Sequence, residues 1–289
     1  MEWWVQPAAV GIVVLYVLMQ AQREESPRRF LGRLLLVAVA AFLAEESCIR
    51  LYSFYDYSDD WWVKVGHVPV LVLLIWPVVI HSATGLARQL LTTPARPALS
   101  ISKAALAAGA LVLADAALIE PVAVHAGLWH WNEPGLFAVP PIGILGWACF
   151  AAICAATFAC TEGRRRLSWD LVVLPAACAG THLLLLACWW GLLRWVNAPV
   201  PGFLAALVAF GLATGISIYL LKSQIGRRVC RQDLLLRIPA ALFFGSLLLA
   251  HWPGPGALLA YFVVFTPPNI VLTMQSNSLR DLTKENPHD

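Results

Sequence analysis

Charge is what this sequence has least of. Only 13% of its 289 residues are Asp, Glu, Lys or Arg, against about 25% in a soluble globular domain. With 60% of the residues hydrophobic, the polar surface is too small to cover a water-soluble fold. Paired cysteines are also lacking. The seven cysteines (Cys48, Cys149, Cys154, Cys160, Cys178, Cys188, Cys230) are scattered with no C-x-x-C spacing, which indicates neither a zinc ribbon nor a disulfide framework. No serine sits in a G-x-S-x-G elbow, no phosphate loop or dinucleotide fingerprint occurs, and no histidines have H-E-x-x-H spacing. No metal and no organic cofactor is therefore expected. No cleavable leader is expected either, because Met1-Glu2-Trp3-Trp4 lacks a basic region and the first apolar run ends in Gln20-Ala21-Gln22-Arg23. The net charge of +3 arises from the loops and does not argue for nucleic acid. There is no repeat of fixed period and no long linker, so residues 1–289 read as one integral-membrane domain with a short polar tail over 275–289.

What the chain has is apolar runs of about 20 residues, the length that crosses a hydrocarbon core of roughly 30 Å. Nine can be marked: 3–20, 30–52, 66–88, 102–123, 139–160, 169–195, 201–221, 234–251 and 256–273. The expected fold is an all-α polytopic transmembrane bundle of about nine spans. The loop charges alternate. Seventeen of the twenty Lys and Arg residues fall on one side, and only Arg50, Lys64 and Arg194 fall on the other. The excess of basic residues in cytoplasmic loops then puts the N-terminus outside and the C-terminus in the cytoplasm of a bacterial or archaeal cell membrane. An eight-span reading breaks this alternation. Thr266-Pro267-Pro268-Asn269 must kink or unwind the last span.

Ionisable groups inside spans are costly and point to function. At a rise of about 1.5 Å per residue, Glu45 and Glu46 lie about 22–24 Å above Phe30. Asp115 lies about 20 Å above Ser102, and Glu120 about 7 Å further. His67 opens the third span from the same side, and His125 follows the fourth. These carboxyls and imidazoles therefore share one depth, toward the outer leaflet. Glu45 and Glu46 also have a structural reading, pairing with Arg50 at i+4 or i+5, and Glu120 before Pro121 reads as an interfacial turn. Asp115 has no basic neighbour on its own helix.

Carboxylic acids in an apolar, aromatic-lined cavity have a specific chemical use. A buried carboxyl can stay protonated near neutrality and act as a general acid. If it protonates an alkene, the tertiary cation formed is stabilised by aromatic faces and by nearby carboxylates. Trp129 and Trp131 provide such faces, and a lipophilic isoprenoid would enter from the bilayer lipids.

The stretch around these residues resembles a membrane family of carotenoid biosynthesis proteins, which includes hydratases of γ-carotene and bisanhydrobacterioruberin. That family reads D-x-x-x-x-D-P, V-x-x-G-x-W-x-W, a glycine-containing turn and V-P-x-x-N-F-x-G-W. Here the matching residues are Asp115, Glu120-Pro121, Val124 to Trp131, Gly135, and Val139-Pro140 to Gly146-Trp147. A looser match joins Glu46, Phe54-Tyr55-Asp56-Tyr57, Gly66-His67-Val68-Pro69 and Trp76. Glu120 stands where the family has aspartate, and Gly143 where it has an asparagine able to position water.

The resemblance implies a hydratase acting on carotenoid end groups. Asp115 or Glu46 would be the acid, with Glu45 beside them and Glu120 as partner or water base. Trp129, Trp131, Trp147, Tyr55, Tyr57, His67 and His125 would line the substrate site. A cyclase or isomerase using the same protonation is the alternative, and Gly143 leans toward it. A proton-coupled carrier using Glu45, Glu46 and Asp115 is a third reading. Against it stand the lack of paired halves and the gathering of polar groups on one side.

Overall fold

Each of the nine expected runs is helical, since a backbone in lipid must satisfy its own hydrogen bonds. The computed structural model describes residues 2–91, 101–164, 166–252 and 254–277. Arg96, Arg165, Arg280, Lys284 and the expected tail from 278 onward lie outside the described residues. In chain order come α1 (Val5–Ala21), α2 (Pro27–Tyr52), the short strands β1 (Tyr55–Tyr57), β2 (Lys64–Val65) and β3 (Val68–Pro69), and α3 (Val70–Leu91). Then follow α4 (Ile101–His125), β4 (Trp129–Trp131) and α5 (Pro141–Thr161). A 3-10 turn (Leu167–Val172) leads into α6 (Val173–Cys188), which passes through a π-turn (Trp189–Leu193) into α7 (Arg194–Val196). The remainder is α8 (Gly202–Ser223), α9 (Arg231–Leu235), α10 (Ile238–Ala250), α11 (Gly256–Val263) and α12 (Thr266–Gln275).

The chain is thus a polytopic helical bundle. Among the described residues, seven helical segments are long and apolar enough to cross a membrane: α3, α4, α5, Leu167–Val196, α8, Arg231–Ala250 and Gly256–Gln275. Two further runs differ. α1 is apolar but only 17 residues long, and α2, at 26 residues, carries Arg28, Arg29, Arg33, Glu45, Glu46 and Arg50. The last run breaks at Val264–Phe265, and its prolines occupy the first turn of α12, where a missing N–H is harmless.

Five helices form a closed ring. α2 packs on α3, α3 on α4, α4 on α5, α5 on α6, and α6 back on α2. α1 and α10 lie against its outside, and α8 pairs with α11 and α12, exposing Phe203, Leu207, Phe210 and Leu212 as a lipid-facing side would. One end of the ring is tied by charge: buried Asp170 accepts from Arg33 Nε at 2.9 Å and Arg29 Nε at 3.2 Å, and from the Thr161 hydroxyl. The other end is closed by a two-stranded antiparallel ribbon of β1 and β4, with Tyr55 opposite Trp131, Asp56 opposite His130 and Tyr57 opposite Trp129.

Two local devices bring β4 there. Gly127, at φ +70°, ends α4. Its N–H bonds the Val124 carbonyl and the Leu128 N–H bonds the Ala123 carbonyl, each at 3.0 Å, a helix stop that needs a left-handed residue. The second device concerns Pro121. It does not make a turn, because α4 continues through it to His125. The proline cannot donate to the Ala117 carbonyl one turn back, and the Tyr261 hydroxyl on α11 donates to that oxygen instead, at 3.0 Å. The helix therefore keeps its course past Glu120. We expect Tyr261→Phe to cost about 1–2 kcal/mol, read as a lower thermal midpoint in detergent by circular dichroism. An unchanged midpoint would mean that Ala117 is satisfied without Tyr261.

Candidate active site

Side chains alternate across a strand, so the ribbon has two chemically different faces. Asp56 and His130 point outward, with side chains 51% and 65% exposed and 3.9 Å apart. Tyr55, Tyr57, Trp129 and Trp131 point into the ring and line a cavity there. Trp76 of α3, Trp147 and Phe150 of α5, Ala44 and Cys48 of α2, and Thr181 and Leu185 of α6 complete much of the wall. Glu45 and Glu120 face this space from α2 and α4.

Each carboxyl accepts three hydrogen bonds from aromatic donors. Glu45 Oε2 accepts from the hydroxyls of Tyr55 and Tyr57, the latter at 2.9 Å, and Oε1 accepts from Trp76 Nε1 at 2.9 Å. Glu120, only 2% exposed, accepts from Trp129 Nε1 at 2.8 Å and Trp131 Nε1 at 2.9 Å on Oε2, and from Trp147 Nε1 at 2.7 Å on Oε1. Trp76 and Trp147 stack with centroids 4.1 Å apart, so one indole pair bonds both carboxyls. Burial, and then the charge of Glu45, push the Tyr55 and Tyr57 phenols well above their ordinary value. They therefore remain protonated donors.

The two donor sets differ chemically. An indole N–H donates and has no acceptor lone pair, whereas a phenol oxygen does both. A protonated Glu45 can donate a hydrogen bond to the Tyr55 or Tyr57 oxygen after a hydroxyl rotation. A proton on Glu120 would meet only donors among these partners, so its surroundings fit the carboxylate.

The site is built twice from one pattern, which inspection for a fixed period does not find. Glu45 is followed by Tyr55-Asp56-Tyr57, then Val68-Pro69, then Trp76 seven residues after the proline. Glu120 is followed by Trp129-His130-Trp131, then Val139-Pro140, then Trp147 seven residues after the proline. Corresponding strands pair antiparallel and corresponding tryptophans stack, so the two units meet about a local two-fold axis. The loops between strand and proline differ in length, which hides the repeat from any fixed spacing.

The other sequence candidates lie elsewhere. Glu46 turns away from its neighbour Glu45 and accepts from Arg50 Nε at 2.6 Å and from the His67 backbone N–H at 2.8 Å, with His67 Nδ1 at 3.0 Å. Its carboxylate occupies the space that a side chain at Gly66 would take. Asp115 pairs with Arg237 of the loop before α10, which also donates to Ser82 at 2.9 Å. The basic partner missing from its own helix thus comes from another. His125 packs against Gly254. None of Glu46, His67, Asp115 and His125 lines the cavity. Among the described residues, no group of three or more His, Cys, Asp or Glu could hold a metal ion. Trp76 as the third partner of Glu45 was readable in outline, since an indole N–H in mid-span needs an acceptor. Thr181 left no such signal.

Gly143 has a steric role. A methyl group there would sit 2.5–3.0 Å from the Trp131 ring, so the ring fills the space a side chain would occupy. Gly143→Ala should displace Trp131 from Glu120 at a cost of about 1–3 kcal/mol, seen as a lower thermal midpoint and a changed near-ultraviolet tryptophan signal. Wild-type values for both would mean that the ring does not depend on Gly143.

No curated protein and no solved structure matches the chain. The family model described as carotenoid biosynthesis protein matches residues 4–213, a region that contains both carboxyls, all six of their aromatic partners and the five-helix ring. The chain belongs to the carotenoid biosynthesis protein family.

Proposed function

We propose that the chain is a hydratase of carotenoid end groups, with Glu45 as the proton donor and Glu120 as the carboxylate facing the cation. The observation that carries this reading is the asymmetry of the donors, phenols on Glu45 and indoles alone on Glu120. In the reaction, Glu45 transfers its proton to the less substituted carbon of a terminal trisubstituted alkene. The tertiary cation is held among Trp129, Trp131 and Trp147 by their π-faces and by the charge of Glu120. Water forms the new C–O bond, its released proton passes to Glu120, and return of that proton to Glu45 resets the site. The net change is addition of one water, which requires no redox partner or organic cofactor.

In this reading the polyene reaches the cavity from the bilayer of a bacterial or archaeal cell membrane. The same reading counts α1 and α2 as spans, nine in all, and sets the ribbon end of the ring on the outer side, which the loop charges support. The Trp131 ring over Gly143 favours a second reading, because α5 then offers no polar side chain there to hold water. A cation that loses a proton in place of gaining water gives a cyclised or isomerised product of unchanged mass. The repeated unit removes one argument against a carrier. Against that reading stands the buried apolar layer of Val37, Ala40, Ile80, Ala83, Val112 and Ala151, one or more turns along the helices from the two carboxyls.

Expression in bacteria that accumulate acyclic and monocyclic carotenoids, followed by liquid chromatography with mass detection, tests the scheme. The expected product is one water heavier than its parent. Glu45→Gln should reduce it by about 100-fold or more, and Asp115→Asn should leave its identity unchanged while lowering protein stability, because Arg237 loses its partner. Full turnover by Glu45→Gln would remove Glu45 as the acid, and an isomass product from wild type would replace hydration with cyclisation.

A further inference from the structure

Thr181 lines the cavity of Glu45 and Glu120 and is 4% exposed, yet its hydroxyl oxygen is buried without a hydrogen-bond partner. A buried hydroxyl in that state is costly. Threonine and serine within helices escape the cost by bonding the carbonyl four residues back. Here Thr84 does so to Ile80 at 2.7 Å, Thr157 to Ile153 at 2.8 Å and Ser217 to Ala213 at 2.7 Å. Thr181 does not bond Ala177 in this way. Its orientation is held by its neighbour: His182 lies 2.7 Å from the Ser47 hydroxyl and 3.0 Å from the Tyr52 hydroxyl, which clamps α6 to α2. Leu185, one turn on, lines the same cavity. Opposite, α5 presents Gly143 and Gly146, and the space at Gly143 is filled by the Trp131 ring.

We propose that Thr181 Oγ1 holds the water that captures the cation, so that the water-positioning group lies on α6 and not on α5. This rests on the hydration reading. A hydroxyl suits the task because it can accept a hydrogen bond from the water or donate one to it. The water is then kept within reach of the cation, and the one proton it loses on forming the C–O bond goes to a carboxylate of the same cavity. Without that hydroxyl the protonation step still proceeds, but the cation more often returns a proton to a carboxylate. The alkene is consumed and no water is gained.

Two measurements test this, with Thr181→Val, which keeps the shape and removes the hydroxyl, and Thr181→Ser, which keeps the hydroxyl. In carotenoid-accumulating cells, with equal protein in the membrane, Thr181→Val should cut the ratio of alcohol to isomass product at least fivefold. Alkene consumption should stay within about twofold of wild type, and Thr181→Ser should restore the ratio. The second measurement needs no turnover. For purified protein in detergent, quenching of the cavity tryptophans by the polyene reports binding of a tertiary carotenoid alcohol and of its parent alkene. Wild type and Thr181→Ser should prefer the alcohol by roughly fivefold, as one hydrogen bond allows, and Thr181→Val should not. An unchanged product ratio in Thr181→Val, or the same alcohol preference in all three proteins, overturns the proposal. If wild type adds no water in cells, the hydration reading fails, and the binding comparison still decides whether Thr181 holds an oxygen.

Discussion

A carboxyl group inside an apolar ring of helices needs hydrogen-bond donors, and the ribbon end of this protein is arranged to supply them. Water would do so in a soluble enzyme, and lysine or arginine would do so at an ion pair. Both alternatives appear elsewhere in the molecule, where Asp170 is held by two arginines and Asp115 by Arg237. At Glu45 and Glu120 the donors are aromatic. Each donor therefore also contributes a hydrocarbon face, and the carboxyls are satisfied without a full positive charge nearby. A guanidinium in that place would repel a carbocation. An indole edge holds the carboxylate while its face attracts the cation, so one residue type serves the resident group and the reaction the family suggests.

The ribbon follows from the same need. Three-residue strands would be marginal alone, but β1 and β4 are anchored at each end by α2 and α4. Further bonds fix them: the Trp61 indole to the Leu128 carbonyl at 3.0 Å, and Asn132 to the Phe54 and Ser53 carbonyls. Strand alternation then delivers four aromatic side chains to the cavity, while Asp56 and His130 stay outside.

Much of this was legible in the residues. Hydrophobic run length locates the helices, because the bilayer imposes it, and the prolines at 267 and 268 announce the break before α12. The aromatic-rich segments around 54–57 and 129–131 read as part of the site, together with Glu45, Glu120 and Trp147. Three matters were not legible. Adjacent Glu45 and Glu46 cannot be separated by depth, since a helix turns about 100° between them and only packing decides which faces inward. Asp115 looked unpaired because its partner is 122 residues away. Pro121 read as a turn because local rules cannot see Tyr261 approach the carbonyl it leaves open. The repeated unit escaped for a further reason: it keeps roles, a carboxyl, paired aromatics, and a Val-Pro with a tryptophan seven residues on, while the intervals between these parts differ.

That repeat bears on how the chain enters the membrane. Each carboxyl is followed by its own partners within one helical hairpin, at 10, 12 and 31 residues for Glu45 and at 9, 11 and 27 for Glu120. A hairpin inserted as a unit thus carries its acid together with the groups that neutralise its polarity, and neither acid has to wait in lipid for a distant segment. The two finished hairpins then join through strand pairing and the tryptophan stack, and α6 closes the ring between α5 and α2. Assembly of the two carboxyl units is thus divided into two nearly self-sufficient insertions and one docking event, and the pocket they share comes into existence at the docking.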